Sequence, residues 1–452
     1  MKLWSRIGQL KDNGYSILIA PFVFLFFHCA IVDTQGSRNW GNTTGSANAG
    51  SGNSGTQNST TPERDYSSHS ATRVYGQFDS FSCNVSNNSG SCATTSANNR
   101  NLKNPTWVTP DSAGGVYIAD LSNNRVLYFA SGSTTATRVY GQFGSYTCAN
   151  SNNGGACFPS GPPSANNLYG PASIAIDSSG GVYISDYSNN RVLYFLTGST
   201  TATRVYGQYG SFSCNLANNN GACGNGSPSA NNFYGPVGIY LDSSDGLYVA
   251  DSQNHRVLYF PSGSTTASRV YGQSGSFTCG VRNNGGACSS MGISASNLNW
   301  PMSVSVDSSG GVYIADSQNY RVLYYASGQL SASRVYGTSG SFTVGWSGSL
   351  SADTLSAPTS AVSDNSGGLY IADNDNMRVL YFGSATTTPK KIYGQFGNYA
   401  CNNLNNGGSC GGMSQVSSQG LWFPRAAFPD AGGGLYIADQ NNHRVLYFAP
   451  GS

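Results

Sequence analysis

Apolar residues along most of the chain come in short bursts. Runs of five to seven residues rich in Val, Ile, Leu and Tyr, such as GVYIAD and RVLYF, alternate with clusters of Gly, Ser, Asn and Pro. Runs of this kind bounded by turn residues predict strands, because β-branched and aromatic side chains suit a pleated, half-buried surface. No helical period competes with them. The exception is the uncharged run of 18 residues from Tyr15 to Val32, which follows Lys2, Arg6 and Lys11. A basic stretch followed by an apolar one predicts an export signal. As a helix it would span about 27 Å at about 1.5 Å per residue, close to the roughly 30 Å hydrocarbon core of a bilayer. Residues 1–36 are therefore expected to be a signal peptide or signal anchor, with the membrane touched only through this segment if it is uncleaved. Residues 37–71, rich in Gly, Ser, Thr and Asn, are expected to be a disordered linker. The strand-forming runs fill residues 72–452.

These runs recur in phase. RVYG begins at Arg73, Arg138, Arg204, Arg269 and Arg334 and returns as KIYG at Lys391, at spacings of 65, 66, 65, 65 and 57 residues. A segment opening with Pro and closing with Asp, such as PASIAID, follows each RVYG, then GVYIAD or a close variant, then RVLYF or RVLYY. We label these strands d, a, b and c. Four short strands cannot bury a core alone, but stacked neighbours can, and radial closure of six such sheets makes a six-bladed propeller. The chain begins with a lone d at Arg73 and ends just after a c at Phe448. Pairing the two completes the sixth sheet with an amino-terminal outer strand and removes an exposed edge.

The units NNRVLYF, NHRVLYF and NYRVLYY that follow GVYIAD resemble NHL repeats, with the Asn-His pair present at Asn254-His255 and Asn442-His443 and Arg following it. The resemblance covers residues 72–450 and implies an all-β, six-bladed propeller with four antiparallel strands per blade. It implies little about function, since this propeller serves as sensor, adhesion module, RNA-binding module and lyase.

Ten of the eleven Cys form pairs with eight residues between them: Cys83 and Cys92, Cys148 and Cys157, Cys214 and Cys223, Cys279 and Cys288, Cys401 and Cys410. The interval from Arg334 to Lys391 lacks both members together, so the pairs behave as units, and five local disulfides are expected in the d-to-a loops. Those loops should crown the face that also carries the b-to-c turns. Sequons for N-glycosylation stand at Asn42, Asn58, Asn84, Asn87 and Asn225.

Charge narrows the chemistry. Only 9% of residues are Asp, Glu, Lys or Arg, and the net charge is +2, so the positive field that nucleic-acid binding needs is missing. Glu63 is the sole Glu. Asp111, Asp177, Asp242, Asp307, Asp364 and Asp430 close strand a, and Asp120, Asp186, Asp251, Asp316, Asp373 and Asp439 close strand b. A residue needed once for catalysis would not recur six times. The second set is expected to pair with Arg125, Arg191, Arg256, Arg321, Arg378 and Arg444, which open strand c. His255 and His443 share one turn position and read as surface residues. The strand-a segments carry no His, which argues against the zinc chemistry known for one lyase of this family, and Arg425 alone brings charge there. No cofactor is expected, apart from room for a structural Ca²⁺ near the ring of Asp carboxylates or carbonyls.

The fifth blade has TVGWSGSLSADTLSA in place of a stapled loop, which leaves a gap in the crown near Trp346, the binding candidate. The chain is thus expected to be a non-enzymatic extracellular or cell-surface module that recognises proteins or glycans. The alternatives are a self-assembling structural subunit and a lyase- or hydrolase-type enzyme, the latter opposed by the scarcity of His and Glu.

Overall fold

The computed structural model describes residues 64–157, 161–346, 348–364, 366–408, 410 and 415–452. The expected leader and most of the expected linker lie outside this range. Within it, regular structure consists of strands and single 3-10 turns. In the first blade strand a is Pro105–Pro110, b is Val116–Asp120, c is Arg125–Phe129 and d is Ala136–Tyr140, paired antiparallel in that order. Four further sheets repeat this plan. The sixth consists of Pro424–Pro429, Leu435–Asp439 and Arg444–Phe448, closed by Arg73–Tyr75 with Arg73 opposite Tyr447 and Tyr75 opposite Val445. The ring is closed as the strand order implies.

Strand a of each blade packs on strand a of its neighbours, which places it at the hub. Each begins with Pro, which has no N–H to donate and is tolerated at the first position of a strand. The a-to-b turns need glycine for a steric reason: a Cβ on Gly311 would stand 2.3 Å from the Tyr324 hydroxyl oxygen. Because every blade lies between two others, strand c is buried on both faces, with only its Tyr partly accessible.

An aromatic pair marks every blade interface. Tyr75–Phe129, Tyr140–Phe195, Tyr206–Phe260, Tyr271–Tyr325, Tyr336–Phe382 and Tyr393–Phe448 meet edge to face, with centroids 5.1 to 5.6 Å apart. Such geometry sets the positive edge of one ring against the negative face of the other. The repeated Tyr are thus used in packing.

Residues 64–71 fall within the stretch read as linker, yet they lie along the propeller. The Asp65 N–H donates to the Lys390 carbonyl at 2.7 Å, the Ala71 N–H to the Ser418 carbonyl at 3.0 Å, and Tyr66 meets Tyr399 edge to face. Three backbone or aromatic anchors in eight residues outweigh the polar composition that suggested a linker.

Candidate functional site

The strand-b Asp and strand-c Arg of each blade meet as a fully buried ion pair. Arg Nε donates to Asp Oδ2 at 2.7 or 2.8 Å in all six. The other Asp oxygen accepts a loop N–H, from Lys103 to Asp120 and from Trp422 to Asp439, each at 2.7 Å. Burial pushes these carboxyls upward, while the guanidinium and the N–H donors pull the other way. The remaining guanidinium donors hold loops. Arg321 Nη1 donates to the Phe342 carbonyl at 2.6 Å, and Nη2 to those of Ser294 and Asn297 at 2.8 and 3.0 Å. One Arg therefore clamps the loops on both sides of its blade, and six of them build the crown.

Each expected Cys pair lies at disulfide distance, with Cα atoms 5.5 or 5.6 Å apart. Five loop Asn add a second staple. Asn283 Nδ2 donates to Asn319 Oδ1 at 3.2 Å, and Asn319 Nδ2 returns the bond at 2.8 Å while also donating to Asp316. Asn87–Asn123, Asn152–Asn189, Asn218–Asn254 and Asn405–Asn442 repeat the exchange. These pairs escaped the sequence reading, although an Asn recurring 36 or 37 residues before the Asp-x-x-Asn turn was their signal. They also correct one sequon. Asn87 is 8% exposed, with its amide nitrogen engaged by Asn123, so it cannot present that nitrogen for glycosylation. Asn84 is half-buried and Asn225 exposed, while Asn42 and Asn58 lie outside the described residues.

The two repeat His, read as surface residues, are half-buried and engaged across a blade junction. The turn places His255 and His443 in the left-handed conformation, with φ 53° for both, and rolls the ring onto the next blade. His255 Nδ1 accepts the Trp300 N–H at 3.0 Å, and His443 Nδ1 accepts the Asn104 N–H at 3.1 Å. Burial pushes both down to about 4, with Arg282 adding repulsion at His255 and Lys103 at His443. At the hub Arg425 is half-buried, and desolvation pushes it down to about 10 although Tyr187 and Asp375 favour its charge.

The strand-a carboxylates close their own turns: Asp307 Oδ1 accepts the N–H groups of Ser309 and Gly311 at 2.9 and 2.8 Å. Among the described residues no three His, Cys, Asp or Glu side chains converge as a metal-ligand set. On that face a cavity of about 660 Å³ is lined by Asp242, Asp307, Asp364 and their turns. All of these are repeat positions. The cavity that departs from the repeat is the fifth-blade notch, about 230 Å³, lined by Trp346, Leu350, Leu355, Asp375, Asn376 and Asn402 among others. Trp346 is 65% exposed.

The NHL repeat model matches residues 168–195 and 233–260, which run from the end of a stapled loop through strands a, b and c of the second and third blades. No curated protein matches the chain. Among solved structures, similarity extends to virginiamycin B lyase from Staphylococcus aureus, at 12% identity over 79% of this chain and 88% of that one with a TM-score of 0.41. A structural genomics protein from Bacteroides thetaiotaomicron is 13% identical over 85% and 76%, with a TM-score of 0.49. A chain of a nidogen/laminin complex is 15% identical over 64% and 80%, with a TM-score of 0.41. With two repeats matched directly and the same Asp-Arg-Asn register in all six blades, the chain is a six-bladed β-propeller of NHL repeats.

Proposed function

We propose that the chain is a non-enzymatic recognition or scaffold module of the extracellular space or cell surface, binding proteins or glycans through the loops of its stapled face. The observation that supports this reading is an asymmetry of apolar exposure. Of the ten large hydrophobic side chains exposed among the described residues, seven lie on d-to-a loops, Phe143, Tyr209, Met291 and Trp346 among them, and only Leu196 and Leu330 lie on the opposite turns. Exposed aromatic side chains on a rigid frame contribute contact area at small conformational cost. Five disulfides suit an oxidising compartment, and they fix the loops before any partner arrives. Most of the chain's charged side chains of the repeat are meanwhile spent on its own framework, as the six buried ion pairs illustrate.

The test is binding of the full chain, made through an oxidising secretory route, to arrays of extracellular proteins and glycans. A saturable ligand lost on Phe143→Ser and Tyr209→Ser but kept on Leu196→Ser and Leu330→Ser is the expected result. A ligand that tracks the opposite face, or turnover of an arrayed substrate, overturns the reading.

A further inference from the structure

The fifth-blade notch retains the receiving half of a lock whose other half is gone. In five blades the turn Asn exchanges two hydrogen bonds with a loop Asn, as Asn319 does with Asn283. In the fifth blade Asn376 still donates to Asp373 Oδ2 at 2.9 Å, but the shorter loop above it brings no Asn. Asn376 is only 7% exposed, and its carboxamide oxygen has no hydrogen-bond partner among the described residues. It lines the notch together with Trp346 and Leu350. That oxygen opens onto the notch, within reach of a ligand, and a ligand N–H in place of water there gains the net worth of one hydrogen bond, roughly 0.5–1.5 kcal/mol.

We propose that this notch recognises a primary carboxamide, the side chain of an Asn or Gln on a loop of a partner protein, seated as the loop Asn is seated in the other five blades. A primary carboxamide carries N–H and C=O on one edge, so it can accept the second Asn376 N–H while donating to the Asn376 oxygen. A trans peptide bond or an N-acetyl group carries them on opposite edges and cannot close that pair. Trp346 supplies the apolar wall for the rest of the loop, in the manner of an aromatic interface anchor. The proposal rests on reading the stapled face as a recognition surface.

The chain supplies its own probe: a disulfide-cyclised peptide with the sequence of residues 279–288, CGVRNNGGAC, which presents the equivalent of Asn283. It is titrated into the full oxidised chain by calorimetry, with Trp346 fluorescence taken as the difference from Trp346→Phe. Saturable binding is expected, weakened at least about tenfold when the Asn283 equivalent in the peptide is Ala, and likewise by Asn376→Ala in the protein. Should Asn376→Ala fold poorly, Trp346→Ala, which alters an exposed side chain, carries the same expectation. Equal affinity of the Asn and Ala peptides, or no binding of either, overturns the proposal. A second arm uses chito-oligosaccharides: sugar binding that is lost in Trp346→Ala, without peptide binding, overturns the carboxamide and leaves the broader reading standing. That broader reading fails separately, if array ligands ignore Phe143→Ser and Tyr209→Ser.

Discussion

His443 Nδ1 accepts the backbone N–H of Asn104 at 3.1 Å, so the last blade is tied to the first through an imidazole that must be unprotonated at that nitrogen. His255 ties the third blade to the fourth in the same way through Trp300. Both are pushed down to about 4, below the unfolded value of about 6.5. Above pH 6.5 neither state binds a proton there and the bonds carry no penalty. As pH falls from about 6.5 towards 4, the unfolded chain takes up protons that the folded chain refuses, and stability is lost. The interval is worth about 3 kcal/mol per His at its limit. We expect the thermal midpoint to drop across this range and the double variant His255→Asn/His443→Asn to lose most of that drop. Asn124 and Asn190 already fill the same place and accept the corresponding N–H at 2.8 and 2.7 Å. Parallel pH profiles for parent and variant would refute the assignment.

The buried ion pairs predict a steep response to half-removal. Arg321→Met leaves Asp316 charged without its partner and frees the carbonyls of Ser294, Asn297 and Phe342. Breaking one side of such a pair costs about 3–5 kcal/mol, whereas replacing both partners with apolar side chains costs far less. Chemical denaturation should show Arg321→Met well below the parent, with Asp316→Leu/Arg321→Met recovering part of the loss. A double variant no better than the single one would mean that the loop carbonyls, and not the orphaned carboxylate, dominate.

Much of this framework was legible in the sequence. Strands, blade number and the closing strand at Arg73 followed from strings that recur in phase, because the repeat forces one local solution six times. The Cys pairs were legible for the same reason. What escaped are contacts between residues about 36 apart whose types have a ready local explanation. Asn87 reads as a sequon, Asn319 draws no reading of its own, and nothing local says that each such Asn reaches the other loop. His255 and His443 read as turn tips, while the left-handed backbone directs their rings inward. The notch was visible as a missing Cys pair near Trp346. Its floor, Asn376, was not, because it keeps the repeat identity and differs only in what it has lost.

The disulfides should stabilise by a similar amount each. Closing a loop of nine residues corresponds to about 2.5 kcal/mol in the chain-entropy account. Cys279→Ser/Cys288→Ser is expected to lower global stability by about that figure or less, since the Asn283–Asn319 exchange and the Arg321 clamp still hold the loop base. Limited proteolysis should cut first between positions 279 and 288. Cleavage appearing elsewhere, or a loss of several times this size, would show that the staple is needed for the blade itself to form.

The junction between the fourth and fifth blades is expected to be the softest in the ring, because several latches are missing there together. Thr338 replaces the Gln that elsewhere bonds turn carbonyls, as Gln273 bonds those of Asn254 and His255. Tyr320 replaces the Asn, His or Met that elsewhere accepts the N–H preceding the next strand a. The Ala357 N–H accordingly has no hydrogen-bond partner among the described residues. Tyr320 also sits at φ 58°, a left-handed conformation that Asn tolerates better than a bulky aromatic side chain. Tyr320→Asn should therefore supply the missing acceptor and stabilise the chain by about 1 kcal/mol, some of the gain being offset by the lost ring. Hydrogen exchange of the parent should show the amides of residues 355–357 opening before their counterparts at 298–300, and the variant should close that gap. If both segments exchange alike in the parent, the missing latches carry no energetic weight, and the junction is held by Tyr336 against Phe382 and the apolar interface around them.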